Sequence, residues 1–514
     1  MTRLLAVCAF CVCAALGAHA QSRSVSILDF GAVGNGTSLN TGAIQHAIDS
    51  VARSGGGTVR VPAGVFVTGT LQLRSNIELH LEHASVLRGS VALEDYMLDS
   101  QRVGLLFTQD AVNVSITGSG TIDGRGDEFM DLTRAKGIEH AGVALTRQKE
   151  MFRHVDGGIG DGPVVPRERP YQMVIFSRCR DVTVRGITLT DAPFWTLHLA
   201  DCEGVIVSGL RIRGNLLVPN NDGIDVTSCR NVTIADCDIS TGDDCIAITG
   251  YSRHFELPGY SNLMHPCENV AVSNCHLVSR SAAIRIGGFD QNPMRNFTFT
   301  NITITSSNRG IGIFGRDEGG IENLLFSNMV IETRLHTGDW WGNAEPIHLS
   351  AVRLAKDVRL GRVRNIVFQN ILCRGESGIL VYGSRENRIE EVTFDNVSLH
   401  LEAGRLTAAS GGNIDLRPAL DPAEQLFAHD IPAVYAQHVR GVRFSGVTVT
   451  WGDVQEPFFT HGLEVGEFEE VMIDNFRGTA APHNATASAI RAWNGRGLQV
   501  SGNVQNVSTQ NVQP

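Results

Sequence analysis

Cys229-Arg230-Asn231-Val232-Thr233-Ile234 opens on a small apolar residue, passes through an asparagine and runs into alternating β-branched side chains. The same phrase recurs along the chain. Upstream it stands as Cys179-Arg180-Asp181-Val182 and Cys202-Glu203-Gly204-Val205. Downstream it stands as Cys267-Glu268-Asn269-Val270, Met294-Arg295-Asn296-Phe297, Ile321-Glu322-Asn323-Leu324 and Val363-Arg364-Asn365-Ile366, with weaker copies around Glu391, Gly441, Glu470 and Gly497. The common spacing is about 27 residues with a few longer insertions, and self-similarity at such a period marks a solenoid. Each copy opens a period-two run; a second follows near Ile239, Ile304 or Ile331, and often a third of the form Ile-x-Ile. Such runs, bounded by Gly, Asn and Asp turns, are strands with no room for helices between them. Three short strands per coil predict an all-β fold, a right-handed parallel β-helix with coils about 4.8 Å apart.

The first position of the phrase is Cys179, Cys202, Cys229 and Cys267, then Met294, Ile321 and Val363. That exchange of cysteine for larger hydrophobes predicts an inward-facing buried column rather than disulfides, although Cys245 and Cys275 could pair. The Asn or Asp at the third position is a turn residue that tolerates unusual backbone angles. A parallel stack also needs its open edges covered. Ala43, Ile44, Ala47, Ile48 and Val51 fall at helical spacing between Thr41 and Ser54, with Asn40 or Thr41 able to cap the start and Gly55-Gly56-Gly57 ending it. This predicts a short amphipathic capping helix, followed by strands at Thr58 to Val61 and Leu71 to Leu73.

The composition narrows the function classes. Of 514 residues, 42% are hydrophobic and 19% charged, which excludes a disordered or collagen-like chain. The net charge is −11 without any basic run, so nucleic acid is not an expected partner. Residues 1–20 carry Arg3, an apolar stretch from Leu4 to Leu16 and an Ala18-His19-Ala20 ending, the features of a signal peptide too short to span a membrane permanently. No later apolar run is long enough to cross a bilayer. The expectation is a secreted or periplasmic monomer with a single β-helix catalytic domain over 21–514. Among the eight cysteines beyond the leader, no CxxC pair or His/Cys cluster has zinc-ligand spacing, and neither metal nor cofactor is expected.

The Ile-x-Ile strands decide where chemistry should lie. Alternation turns the flanking apolar residues inward and the central one outward, giving an outward column of His198, Asp225, Ala247, Arg285, Gly312 and Leu380. The turns feeding two adjacent strands are Asn220-Asn221-Asp222-Gly223 and Gly242-Asp243-Asp244-Cys245. Asp222, Asp225, Asp243 and Asp244 are therefore expected together on neighbouring coils, where mutual repulsion raises at least one carboxyl pKa. One protonated acid beside ionised neighbours is the division of labour glycoside hydrolysis requires. Calcium binding and solvated turn aspartates are the alternatives.

With those residues in place, the chain resembles glycoside hydrolase family 28, the polygalacturonase family, over nearly all its length. Asp29-Phe30-Gly31-Ala32, Gly55-Gly56-Gly57, Val61-Pro62-Ala63-Gly64, Ile122-Asp123-Gly124 and Pro193-Phe194-Trp195-Thr196-Leu197-His198 carry the likeness, with Asn220 to Asp225 matching the N-T-D-G-x-D turn and Gly242 to Cys245 the G-D-D-C turn. The resemblance implies inversion, with Asp243 as general acid, Asp222 and Asp244 holding and deprotonating water, and Asp225 tuning the cluster or touching sugar. Inversion would place acid and base roughly 6.5–9.5 Å apart. Two family motifs are missing. Ser281-Ala282-Ala283 replaces G-H-G, and Gly312-Ile313-Phe314 replaces the R-I-K strand that would grip a galacturonate carboxylate. Arg285, projecting into the space over Gly312, and nearby Arg316 are expected to supply a relocated cation. Trp340 and Trp341, in a long insertion, suit sugar stacking or packing, and His198 faces substrate or makes a structural hydrogen bond. The expected function is hydrolysis of a pectic polysaccharide or oligosaccharide, possible exo action and rhamnogalacturonan included. A polysaccharide lyase and a non-catalytic carbohydrate-binding β-helix are the alternatives.

Overall fold

A computed structural model of the chain describes residues 23–137, 159–252, 262–504 and 506–514. The leader at 1–20 and residues 138–158 of the insertion between Gly124 and Arg169 lie outside the described residues.

The strands form a parallel β-helix of three ladders. One runs without a break from Leu106–Gln109 through Val174–Ser177, Leu197–Ala200, Ile224–Thr227, Ile246–Thr249, Ala282–Gly287, Arg309–Gly315, Ile347–Ala351, Ile379–Tyr382 and Val434–Gln437 to Leu463–Gly466. The recurrent phrase opens the strands of the second ladder, as in Arg230–Ala235 and Cys267–Ser273. Shorter strands such as Arg211–Arg213 and Asp238–Thr241 make the third. From Met294 onward the second and third strands of a coil fuse into long bent ones, Met294–Ser307, Ile321–Thr333 and Val363–Gly375.

The third position of the phrase has the backbone the sequence suggested. Asp181, Asn231, Asn269, Asn296, Asn323, Asn365, Glu391 and Glu470 all adopt φ between 54° and 64°, and Gly204, Gly441 and Gly497 follow at 65–69°. Their side chains then stack: Asn269, Asn296, Asn323 and Asn365 each donate an amide hydrogen to the asparagine one coil earlier. The left-handed turn sets the corner, and the amide ladder ties successive corners together.

The second position holds a pattern that the sequence reading did not recognise. Read coil by coil, it is Arg180, Glu203, Arg230, Glu268, Arg295, Glu322, Arg364, Glu390, Arg440, Glu469 and Arg496, each in register with the next. The signs alternate throughout. Arg230 pairs with Glu203 at 3.3 Å, Arg295 with Glu268 at 2.8 Å and Arg364 with Glu322 at 2.7 Å. Opposite charges directly across strands stabilise by roughly 0.2–1 kcal/mol each, and a one-coil slip would set like against like.

Inside, Phe299, Phe326, Phe368, Phe394 and Phe444 stack coil on coil with centroids 4.8–5.3 Å apart. Cys179, Cys202, Cys229 and Cys267 are buried free thiols. The pairing alternative for Cys245 and Cys275 does not occur: both are free, and Cys275 meets Cys237 instead. The helix Thr41–Arg53 buries Ile44, Ala47, Ile48 and Val51 against the first coils. Asn40 does not cap it; its side chain bridges Val33, Ser38 and Val67. The strand expected at Leu71 to Leu73 is reduced to one parallel bridge between Leu71 and Leu106. Among the described residues no helix is long and apolar enough to cross a membrane.

Candidate active site

The outward column holds as written and gains a residue. His198, Asp225, Ala247, Arg285 and Gly312 are in register, followed by His348 and then Leu380. His348 was passed over because its strand follows a long insertion. The column is outward of the β-helix yet largely covered. Trp195, Tyr251 and Leu263 roof one end and Ile414, Leu416 and Tyr435 the other. Between these roofs is a cavity of about 260 Å³.

Two tight turns bring the acids into it. A Cβ on Gly223 would come within 2.4 Å of the Cys245 carbonyl oxygen, and one on Gly242 within 2.2 Å of the Val218 oxygen, so glycine lets adjacent coils approach. Asn220 takes φ 56°. Its amide donates to Asp243 Oδ2 at 2.9 Å, while Arg169 holds the turn by donating to Pro193 O, Pro219 O and Asn220 Oδ1 at 2.8–2.9 Å. Asp243 Oδ1 accepts the Asp244 amide at 3.0 Å. Asp244 Oδ1 accepts the Ala282 amide at 2.9 Å, and its Oδ2 faces Arg285 Nη1 at 3.4 Å. Carboxylate oxygens of Asp222, Asp243 and Asp244 lie within 4.8 Å of one another.

That spacing is shorter than the acid–base separation expected of an inverting pair. The two turns sit on directly hydrogen-bonded coils, Gly223 N to Asp244 O at 2.8 Å, which draws their side chains together. A gap of this size still holds one water, since two O–H···O bonds of about 2.7–2.8 Å span it. Oxygen ligands at this spacing could equally surround a divalent cation, and carboxylates are the donor set that such an ion takes.

Crowding sets the protonation. Burial and the Asp244 charge push Asp243 up to about 6. Burial, then Asp243, Asp225 and Asp244, push Asp222 well above the usual carboxylate range. Asp225 is raised by burial and Asp244. It does not line the cavity; it stands beneath it, 3% exposed, with Oδ2 lacking a hydrogen-bond partner among the described residues.

Two expected contacts are corrected. His198 is fully buried under Trp195, with Nδ1 at 3.2 Å from Gln172 and Nε2 at 3.0 Å from Thr227, so it makes structural hydrogen bonds and does not face the cavity. Arg316 is 1% exposed and spends its donors on Pro418 O, Gly315 O, Ser350 and Leu416 O, outside the cavity lining. Arg285 does line it, donating to Tyr251 Oη at 2.6 Å. The space over Gly312 is not open to Arg285, because the Phe314 ring and Arg309 Cδ fill it. Trp340 and Trp341 both line the cavity; Trp340 is 3% exposed and donates Nε1 to Asp161 O, whereas Trp341 is half-buried.

Further cations line the cavity that the sequence did not reveal: Lys136, Arg309 and Arg417. Arg309 is held by Glu345 at 3.3 Å, and Arg417 by Asp339 at 2.6 Å and Asp415 at 2.8 Å. Arg309 opens its strand, ahead of the Ile311-Gly312-Ile313 run, rather than standing at the centre of that run, and Arg417 lies in an insertion without a repeat frame, so neither had a local signal.

Comparison with known proteins adds a family. The model for "Glycosyl hydrolases family 28" matches residues 165–410. The chain is 28% identical to a probable polygalacturonase of Vitis vinifera over 246 residues, 44% of each chain. The chain spans about half the length of the curated relatives it matches. Among solved structures, an exopolygalacturonase of Thermotoga maritima matches at 24% identity, TM-score 0.56, over 74% of this chain and 87% of that one. A Family 28 exopolygalacturonase of Yersinia enterocolitica matches at 19% identity, TM-score 0.62, over 88% and 78%. Both share the fold.

Proposed function

We propose that the chain is a member of glycosyl hydrolases family 28, whose model matches residues 165–410, and that it hydrolyses pectic polysaccharide or oligosaccharide with inversion, releasing product from a chain end. The observation that carries this reading is the convergence of Asp222, Asp243 and Asp244 in one cavity. Asp243, kept protonated into the mildly acidic range, gives its proton to the glycosidic oxygen. Asp244, set against Arg285, and Asp222 hold a water between their oxygens, and the cluster takes up its proton as the water attacks the anomeric carbon. The proton lost by Asp243 and the proton gained from water balance over a turnover.

Arg285 serves as the cation for a uronate carboxylate, with Arg309, Arg417 and Lys136 adding positive charge to the same cavity. Trp341 offers a ring face to a sugar, while Trp340 packs. Asp225 acts from below by keeping charge density on Asp222 and Asp244. The insertions carrying Trp341 and Arg417 wall part of the cavity, which supports exo action. The reading at 1–20 supports export, and we place the enzyme outside the cytoplasm as a monomer with one catalytic domain over 21–514.

A screen of pectic and neutral glycans with product analysis tests the proposal, using Asp243→Asn as the blank. Saturated, shortened pectic products absent from the blank are expected. Unsaturated products lost on chelation would point to a lyase, and no turnover of any glycan to a binding protein.

A further inference from the structure

A second depression, sharing no lining residue with the catalytic cavity, opens where the chain leaves the strands Ile347–Ala351 and Ile379–Tyr382. Its volume is about 680 Å³, and Arg353, Arg359, Arg362, Arg385, Arg388 and Arg440 all line it, against Glu386 and Glu390 as its acids. On a chain of net charge −11 this is a local reversal of sign.

Half of these arginines are already engaged. Arg353 pairs with Glu386 at 2.7 Å, Arg440 with Glu390, and Arg388 bonds the Glu467 carbonyl and lies 3.9 Å from Glu469. Arg359, Arg362 and Arg385 are exposed and have no ion pair among the described residues. Three unneutralised guanidinium groups held near one another repel, and an anion relieves that cost.

The arrangement also has a direction. Arg362 and Arg388 each precede a strand of the second ladder, and those strands pair in register, Arg364 opposite Glu390. The two positions are thus one coil apart, about 4.8 Å along the axis. Positive charge repeated at that interval suits a linear polymer carrying a carboxylate on each unit, and the unengaged forks of Arg359, Arg362 and Arg385 match a carboxylate in plane. The lining has no aromatic ring, and the stacking platforms that hold nucleobases or neutral sugars require one.

We propose that this arginine-lined depression is a docking site for a polyuronate chain, separate from the cavity that cleaves it. The assignment of a uronate rests on the pectic reading above; the site itself rests on its own charges. Docking there tethers the polymer and raises the local concentration of chain ends at the cavity.

The test is electrophoresis of the full chain in gels with and without polygalacturonate, in an Asp243→Asn background so that nothing is cleaved. The comparison is with the same protein carrying Arg359→Ser, Arg362→Ser and Arg385→Ser. The apparent Kd for the polymer is expected to rise about tenfold in the triple variant. In the active background, kcat/KM on a trimer is expected to stay unchanged while kcat/KM on the polymer falls. Unchanged retardation by polygalacturonate would overturn the proposal, and so would equal loss of retardation on polyphosphate, which would make the depression a general anion patch. Retardation needs no turnover. Failure of the hydrolase reading shows instead as an inactive parent enzyme, so the two failures are distinguishable.

Discussion

Asp225 has a buried carboxylate oxygen without a hydrogen-bond partner among the described residues, and burial and Asp244 raise its pKa. A raised folded-state pKa means that stability is greatest below about pH 4 and is lost as pH climbs through the raised value. Asp225→Asn is therefore expected to stabilise the protein by about 1–3 kcal/mol at pH 8 and to change little at pH 4, read as urea unfolding at both pH values. Stabilisation equal at both would contradict the cause given. Asp243 sets the activity profile. With its pKa near 6, kcat is expected to fall as pH rises through about 6, and Asp243→Asn to cost about 10²–10⁴-fold in kcat without loss of Tm. Arg285→Ala removes both the uronate cation and the partner of Asp244, so kcat/KM falls, with Arg285→Lys recovering part of it. A fully active, folded Arg285→Ala enzyme would remove this residue from the site. His198, Asp225 and Arg285 were legible as one outward column because alternation fixes direction. Alternation says nothing about what covers that face, and His198 is covered by Trp195, from the turn that feeds its own strand.

At the scale of the coil, the alternating Arg and Glu ladder is an element that local sequence reading passed over. Its members sit in the quoted phrases themselves, but the alternation emerges only when each coil is set against the next. Glu268→Arg places three arginines in succession at 230, 268 and 295. It is expected to lower stability by roughly 1 kcal/mol more than Glu268→Gln, a difference that shrinks in 1 M salt because exposed charges are screened there. An unfolding series in both salts checks it, and equal effects of the two variants would show that the ladder carries no register energy. The third-position turns, by contrast, were legible wherever Asn, Asp or Gly stands there, since these types announce left-handed backbone; Glu391 and Glu470 adopt the same backbone without that signal. The strand expected at Leu71 to Leu73 was not borne out, because an Leu-x-Leu run reads as a strand by pattern while its neighbours here leave room for one bridge.

For the whole molecule, the repeat dictated a stack of coils, the stack dictated which turns are adjacent, and adjacency assembled the acids. That chain of inference reached the fold and the acidic cluster. It did not reach Lys136, Arg309 or Arg417, because insertions outside the repeat frame or residues off its central column bring them to the cavity. The proposed exo action makes a prediction at this scale: reducing ends should accumulate from pectic polymer with little early fall in viscosity, and a rapid fall would mean an open groove. The central claim is that Asp222 and Asp244 direct a water at the anomeric carbon while Asp243, crowded against them, protonates the leaving oxygen. Proton NMR of the first sugar released, recorded before mutarotation, tests it most directly. The account predicts a product of inverted anomeric configuration; a product of retained configuration would contradict it.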